Sequence, residues 1–229
     1  MNVDDLRVSM PARLVEGKWQ ITGEMPETFD YAMLDRLEQT DLPSGVSGRL
    51  DHSFYLHHYA SLLPEDAVII EIGTRDGVSA ICMAWALWRR GGRVLTIDPG
   101  LVPGGALAGS CREFIQGDIE RVRRNIKTAG VAHRVTPVPG TSADVLAHWT
   151  GEPVAMLFVD GAHTREDVAI DCGWMKYVMH GGIAVFDDWI APVESAVREH
   201  IAANRDWEIV TESTRQAPGC PWKTVLLRR

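Results

Sequence analysis

From residue 66 onward, short apolar runs alternate with longer helical stretches, and this alternation leaves the chain few architectures. The runs AVII (67–70), VLTI (94–97), VTPV (135–138), VAMLFV (154–159) and IAVF (183–186) are almost wholly apolar, as strands buried on both faces must be. Between them lie SAICMAWALWRR, GDIERVRRNIKTAG, SADVLAHW and TREDVAIDCGWMKYVM, each able to form a helix. A strand–helix series of this kind implies an α/β fold, a doubly wound and mostly parallel sheet with helices on both faces. A further helix, APVESAVREHIAAN, leads to WEIV (207–210) and TVLL (224–227), whose connection holds Pro218, Gly219 and Pro221 and no helix. Strands joined without a crossover helix pair antiparallel, so the sheet is expected to end in a C-terminal hairpin.

Residues 1–65 break the pattern. FDYAMLDRLEQ and LDHSFYLHHYASLL read as helices around the irregular link TDLPSGVSG. The expected division is an N-terminal helical cap on the substrate side, 1–65, and a ligand-binding domain, 66–229. His52, His57 and His58 lie in the cap among aromatics, at a spacing that matches no zinc motif. PGLVPGGALAGSC (99–111) follows a strand directly and carries four glycines and two prolines. A loop of that length in a compact domain is expected to be functional, here with the cap as a cover over a ligand.

Composition narrows the partners. At 45% hydrophobic and 24% charged, the 229 residues can bury a full-sized core. A net charge of −8 disfavours nucleic acid, whose phosphates call for a basic surface, and suits a cationic ligand or a metal ion. The start, MNVDDLRVSM, lacks the basic and apolar regions of a signal peptide, and the longest apolar run, Ala80–Trp88, is too short to cross a membrane. The four cysteines are scattered without a CxxC pair, which reads as reduced thiols in a cytoplasmic protein.

The first strand–turn–helix, VIIEIGTRDGVSA (68–80), resembles a dinucleotide fingerprint but departs from it. The middle glycine of GxGxxG lets backbone approach a pyrophosphate. Here Arg75 occupies that position and Asp76 adds a negative charge beside it, so a pyrophosphate would fit badly. Glu71, Gly73, Thr74, Arg75, Gly77 and Ser79 instead form a turn suited to a phosphate-free nucleoside with a positive centre. Asp98, at the end of the second strand in TIDPG, is placed to accept hydrogen bonds from ribose hydroxyls. S-adenosylmethionine has these properties: a ribose, no phosphate and a sulfonium cation. Ser142 in PGTSADVL stands where a helix begins at the ligand edge of the sheet, as an N-cap, a cofactor contact or both.

Carboxylates gather at the same edge. One strand ends in FVDGAHT (158–164) and another in VFDDW (185–189). If these strands are neighbours, Asp160, Asp187 and Asp188 converge, and three close carboxylates repel unless a cation sits among them. All-oxygen ligation favours Mg²⁺, with Mn²⁺, Ca²⁺ or Fe²⁺ as alternatives. His163 stands three residues past Asp160 and can take a proton from a hydroxyl near neutral pH.

EIGTRDG, TIDPG, PGTSAD, FVDGAHT and VFDDW, in that order, resemble the class I S-adenosylmethionine-dependent methyltransferases. Within them the chain is most similar to the Mg²⁺-dependent O-methyltransferases of the catechol type and of the bacterial antibiotic-pathway type, which act on sugars or phenols. The resemblance covers about residues 66–190 by motif. It implies a Rossmann-like seven-stranded sheet, with Glu71 and Gly73 along the methionine part of the cofactor and Ser79 nearby. It places Asp98 on the ribose and Ser142 at the adenine edge, and gives the metal to Asp160, Asp187 and Asp188. The catechol-type enzymes have a lysine where His163 stands and Asp-Asn where Asp187-Asp188 stands; both departures point away from simple catechols.

The expected chemistry is an in-line transfer of the sulfonium methyl to a hydroxyl of a small molecule with adjacent oxygens, with His163 and Asp160 as the catalytic pair. The alternatives are a metal-independent small-molecule methyltransferase, a non-catalytic S-adenosylmethionine-binding protein, and, disfavoured by Arg75 and Asp76, a nicotinamide-linked oxidoreductase. No nucleic-acid or membrane partner is expected, and the helix-rich N-terminus would suit a homo-oligomer.

Overall fold

The computed structural model describes residues 1–6, 12–15, 18–21, 31–40, 50–101, 119–217 and 220–229. Its strands are β1 (Ala12–Val15), β2 (Lys18–Ile21), β3 (Val68–Ile72), β4 (Arg93–Asp98), β5 (Val135–Pro139), β6 (Val154–Val159), β7 (Val178–Phe186), β8 (Glu208–Ala217) and β9 (Cys220–Arg228). Its helices are α1 (Val3–Leu6), α2 (Tyr31–Glu38), α3 (Leu50–Ser61), α4 (Val78–Ala86), α5 (Ile119–Thr128), α6 (Ser142–Ala147), α7 (Arg165–Asp171) and α8 (Ala191–Ala203).

Seven strands form one sheet in the order β5-β4-β3-β6-β7-β9-β8. The first five are parallel, and β9 runs antiparallel to both of its neighbours. The order reverses between β3 and β4 on one side and β6 on the other, and ligands bind at such a switch point, beyond the carboxyl ends of the strands. The doubly wound sheet and the terminal hairpin read from the sequence are therefore both present.

Alternation along each buried strand feeds two cores, one on each face. On β3, Ile69 joins α3, α4 and α5 in one hydrophobic cluster, while Val68, Ile70 and Ile72 join α7 and α8 in the other. On β7, Ile183 and Val185 face the first cluster and Ala184 and Phe186 the second. Burying each large aliphatic or aromatic side chain contributes roughly 1.5–3 kcal/mol, so both faces hold the sheet. All five residues of β3 are buried, Glu71 included.

Several boundaries differ from the sequence reading. The helix expected over 164–179 stops at Asp171, continues as a 3₁₀ turn over Cys172–Tyr177, and gives way to β7 at Val178. The five extra residues of β7 enter through Gly181 (φ +77°) and Gly182, where a Cβ would lie 2.9 Å from the Ala155 carbonyl oxygen. Only glycine allows that approach, and the β6–β7 register shifts there, between Val154 and Met156. The hairpin pairs out to Ala217 and Cys220, well past WEIV and TVLL. The N-terminal segment adds the antiparallel β1–β2 ribbon, which the helical reading omitted. Phe54, Leu56, Tyr59 and Ala60 of α3 lie in the same cluster as α4 and Ile69. His58 Nε2 is 2.8 Å from the Asp5 carbonyl oxygen, which ties α1 to α3. Residues 41–49 and 102–118, which hold most of the irregular link and of the glycine-rich loop, lie outside the described residues. Among the described residues no helix is long and apolar enough to cross a membrane.

Candidate active site

The turn after β3 is held by the end of β4. Asp98 Oδ2 accepts the backbone N–H groups of Thr74 (2.9 Å) and Arg75 (3.1 Å), and Oδ1 accepts that of Gly100 (2.7 Å). Both carboxylate oxygens thus organise the loop, a task the sequence reading did not give Asp98. A carboxylate offers about four lone-pair sites, so three are used and Oδ1 has room for one further donor. Arg75 adopts φ +47°, a left-handed conformation more usual for glycine, and Gly77 (φ +83°) opens α4 without a side-chain cap. Thr74 Oγ1 lies 2.5 Å from Thr96 Oγ1, a buried contact absent from the sequence reading.

Asp76 turns away from the crevice. Its carboxylate pairs with Arg121 Nη2 at 2.6 Å, and its carbonyl accepts Asn125 Nδ2 at 3.0 Å. Arg121 and Asn125 stand four apart on α5, so one helix face holds the loop.

Glu71 lies under the turn, fully buried, with the Ser79 hydroxyl donating to Oε1. Burial pushes its carboxyl up to about 7, against the hydrogen bonds of Ser79 and Thr96, which pull it down. A buried acid held near neutrality is a ready partner for a positive ligand centre.

The β6–β7 edge gathers the acids. Val159 is paired with Phe186, and the ladder continues one step, with Asp160 N–H bonded to the Ile72 carbonyl (2.8 Å) and Asp187 N–H to that of Val159 (2.9 Å). Register alone therefore sets Asp160 beside Asp187. Asp187 thus stands close enough to Asp160 for the two carboxyls to favour the protonated form of Asp160. Burial, and then the charges of Asp187 and Asp188, raise the Asp160 carboxyl well above the carboxylate range.

Asp188 takes a left-handed turn (φ +48°), and the following Trp189 is buried in the second core. The Asp188 carboxylate lies 3.4 Å from His163 Nε2, and Asp160 Oδ1 lies 4.0 Å from the same atom. Asp160, His163 and Asp188 each present a donor atom within 4.8 Å of the other two. The expected trio Asp160, Asp187 and Asp188 is thus brought to one edge, with His163 beside Asp160 and Asp188. Asp187, 4% exposed, is held against Asp160. His163 precedes the N-cap of α7, Thr164, whose hydroxyl accepts the Asp167 N–H at 3.1 Å.

On the β5 side, Thr141 is the N-cap of α6 and Ser142 the first helical residue. Ser142 Oγ accepts the Trp174 indole N–H at 3.0 Å and is hydrogen bonded to the buried Asp171. Burial pushes the Asp171 carboxyl up to about 6. Asp171 and Trp174 were not singled out in the sequence, because they lie within TREDVAIDCGWMKYVM, which reads as an ordinary helix.

The chain matches a family model described as a methyltransferase domain over residues 70–189, more than half of its 229 residues. It belongs to that methyltransferase family. A catechol O-methyltransferase of Mycobacterium tuberculosis is 29% identical over 148 residues, which cover 63% of this chain and 60% of the relative. Two proteins of the same species with the provisional name DNA processing protein DprA are 28% identical over 167 residues, covering 68% of this chain and 42% of theirs. The chain therefore spans less than two thirds of the length of these relatives. Among solved structures, the O-methyltransferase TomG of Streptomyces achromogenes, which is involved in tomaymycin synthesis and was solved with S-adenosylmethionine, has a TM-score of 0.63. It is 26% identical, over 87% of this chain and 90% of TomG. The class I methyltransferase fold expected from the motifs is thus the one observed. Family membership removes the nicotinamide-linked alternative.

Proposed function

We propose that this methyltransferase moves the methyl group of S-adenosylmethionine to a hydroxyl oxygen of a small molecule with two adjacent oxygens, a natural-product sugar or phenol, beside a bound divalent cation. The observation that carries this reading is the Asp160–His163–Asp188 corner, which adjoins the glycine turn through Asp160. In this reading Glu71, Gly73, Thr74, Arg75, Gly77 and Ser79 receive the methionine part, Asp98 the ribose, and Ser142 the adenine edge. The buried free thiols Cys82 and Cys172 suit a reducing, cytoplasmic setting.

The residues fit a divalent cation. His163 Nε2 is buried and has no hydrogen-bond partner among the described residues, and two carboxylates face it. Asp160 and Asp188 would hold the ion, with Asp187 next to Asp160 and His163 beside them as the base or a further ligand. Such an ion, when bound, lowers the pKa of a hydroxyl it touches.

The transfer itself is a displacement. The acceptor oxygen forms its bond to the methyl carbon as the carbon–sulfur bond breaks, S-adenosylhomocysteine leaves with the electron pair, and the hydroxyl proton passes to a base of the corner. The sulfonium is already activated, so positioning and deprotonation are the tasks left to the protein. Nε2 has one lone pair: it can take the proton or hold the cation, but not both.

Calorimetric titration with S-adenosylmethionine, followed by methyl transfer to a panel of catechols and vicinal diols with and without exhaustive chelation, tests the proposal. Binding is expected, as is transfer that chelation abolishes and a divalent ion restores. Absence of cofactor binding would sink the reading whole; transfer that survives chelation would leave a metal-independent enzyme.

A further inference from the structure

We infer that His163 binds the cation directly through Nε2, so that the site selects an ion that accepts nitrogen, such as Mn²⁺, Fe²⁺ or Co²⁺, over Mg²⁺. The inference rests on the metal-dependent reading above and deepens it by naming the class of ion and by making His163 a ligand rather than the base.

The first ground is the state of the nitrogen. Two other histidines, His58 and His148, use a ring nitrogen on backbone: His58 Nε2 lies 2.8 Å from the Asp5 carbonyl, and His148 Nδ1 lies 2.8 Å from that of Asp144. His163 Nε2 is buried beside two carboxylates and bonded to neither. A buried polar atom without a partner is costly, about 1–3 kcal/mol, and marks a place where a further group belongs.

The second ground is distance. A charge-assisted hydrogen bond would draw nitrogen and oxygen to about 2.7–2.9 Å. The separations here are 3.4 Å to Asp188 Oδ2 and 4.0 Å to Asp160 Oδ1. Two ligand atoms about 2.1 Å from a shared ion, subtending an angle of about 90–110°, stand roughly 3.0–3.4 Å apart. The spacing of the His163–Asp188 pair is thus that of neighbours around an ion.

The third ground is the donor set. An octahedral Mg²⁺ shell is built from carboxylates, phosphates and water, whereas imidazole suits first-row transition ions. With Asp160 and Asp188 ionised on the ion, two carboxylates and one imidazole carry two negative charges, which one divalent ion neutralises. With its lone pair on the ion, Nε2 cannot receive the acceptor proton, which goes to a carboxylate of the corner.

The test loads the tag-free, full-length protein with Mn²⁺ and records pulsed electron paramagnetic resonance. A modulation from one directly bound ¹⁴N is expected, lost in His163→Gln, whose folding is checked by circular dichroism. Calorimetry should show Mn²⁺ binding at least tenfold tighter than Mg²⁺, and the substitution should bring that ratio close to one. Mn²⁺ bound without ¹⁴N coupling, or Mg²⁺ preferred over Mn²⁺, overturns the inference and leaves the metal-dependent reading standing. If neither ion binds, that reading fails and the inference fails with it.

Discussion

Gly73 meets Asp160 backbone to backbone: a Cβ on Gly73 would lie 2.1 Å from the Asp160 carbonyl oxygen. The glycine turn and the acidic corner are therefore one packed unit, and the absence of a side chain at Gly73 sets where Asp160 stands. Gly73 also has φ +96°, so a larger residue would be strained even with space available.

Gly73→Ala should destabilise the fold by on the order of 3–5 kcal/mol, because the clash is with backbone and cannot be relieved by a rotamer change. Gly77→Ala, whose Cβ would first meet Val122 Cγ1 at 3.4 Å, should cost only about 1–2 kcal/mol, from its left-handed backbone. Urea unfolding of the two variants checks the difference; equal losses would show that packing against Asp160 is not what fixes Gly73.

Asp98→Asn should loosen the turn after β3. The amide has one acceptor oxygen where the carboxylate serves the Thr74, Arg75 and Gly100 amides with two. A fall in stability of about 1–3 kcal/mol is expected, since a buried amide loses its acceptor. S-adenosylmethionine affinity should fall at least tenfold, about 1.4 kcal/mol. Thermal unfolding and calorimetry measure the two effects on one sample.

Glu71 should make the cofactor-free protein less stable as pH rises. Its carboxyl is raised in the fold from 4.5 to about 7, so the native state binds the proton more tightly than the unfolded chain does. The stabilising contribution is complete below about pH 4.5 and is lost by about pH 7; the full effect is on the order of 3 kcal/mol. Glu71→Gln should flatten the stability profile across that window, as read by urea unfolding at several pH values.

Asp188→Gly should separate stability from function. Glycine relieves the left-handed backbone at φ +48°, a gain of up to about 1 kcal/mol, while removing one carboxylate of the corner. Unfolding should occur at the same or a higher temperature, with divalent-ion binding weakened at least tenfold. Asp188→Asn tolerates the same backbone and keeps one oxygen donor, so its ion affinity should lie between the two.

The parallel sheet and the C-terminal hairpin were legible in the sequence because they depend on local pattern. Apolar runs bounded by turns specify buried strands, and the missing helix between WEIV and TVLL specifies antiparallel pairing. The meeting of the acids at one edge was legible too, since FVDGAHT and VFDDW end strands that the alternation of the chain makes neighbours. Their division of labour was not. That Asp187 lies against Asp160, while His163 and Asp188 share the open corner, depends on the β6–β7 register and on a left-handed turn at Asp188. Asp98 holding three amides, Arg121 neutralising Asp76, and Asp171 bonding to Ser142 are likewise contacts between segments far apart in the chain. The sequence by itself determined which strands form and which residues stand at their ends, because strand formation follows from short-range periodicity. Only the tertiary structure decided which side chains meet one another or a backbone amide, because those distances arise when neighbouring strands and their turns pack together.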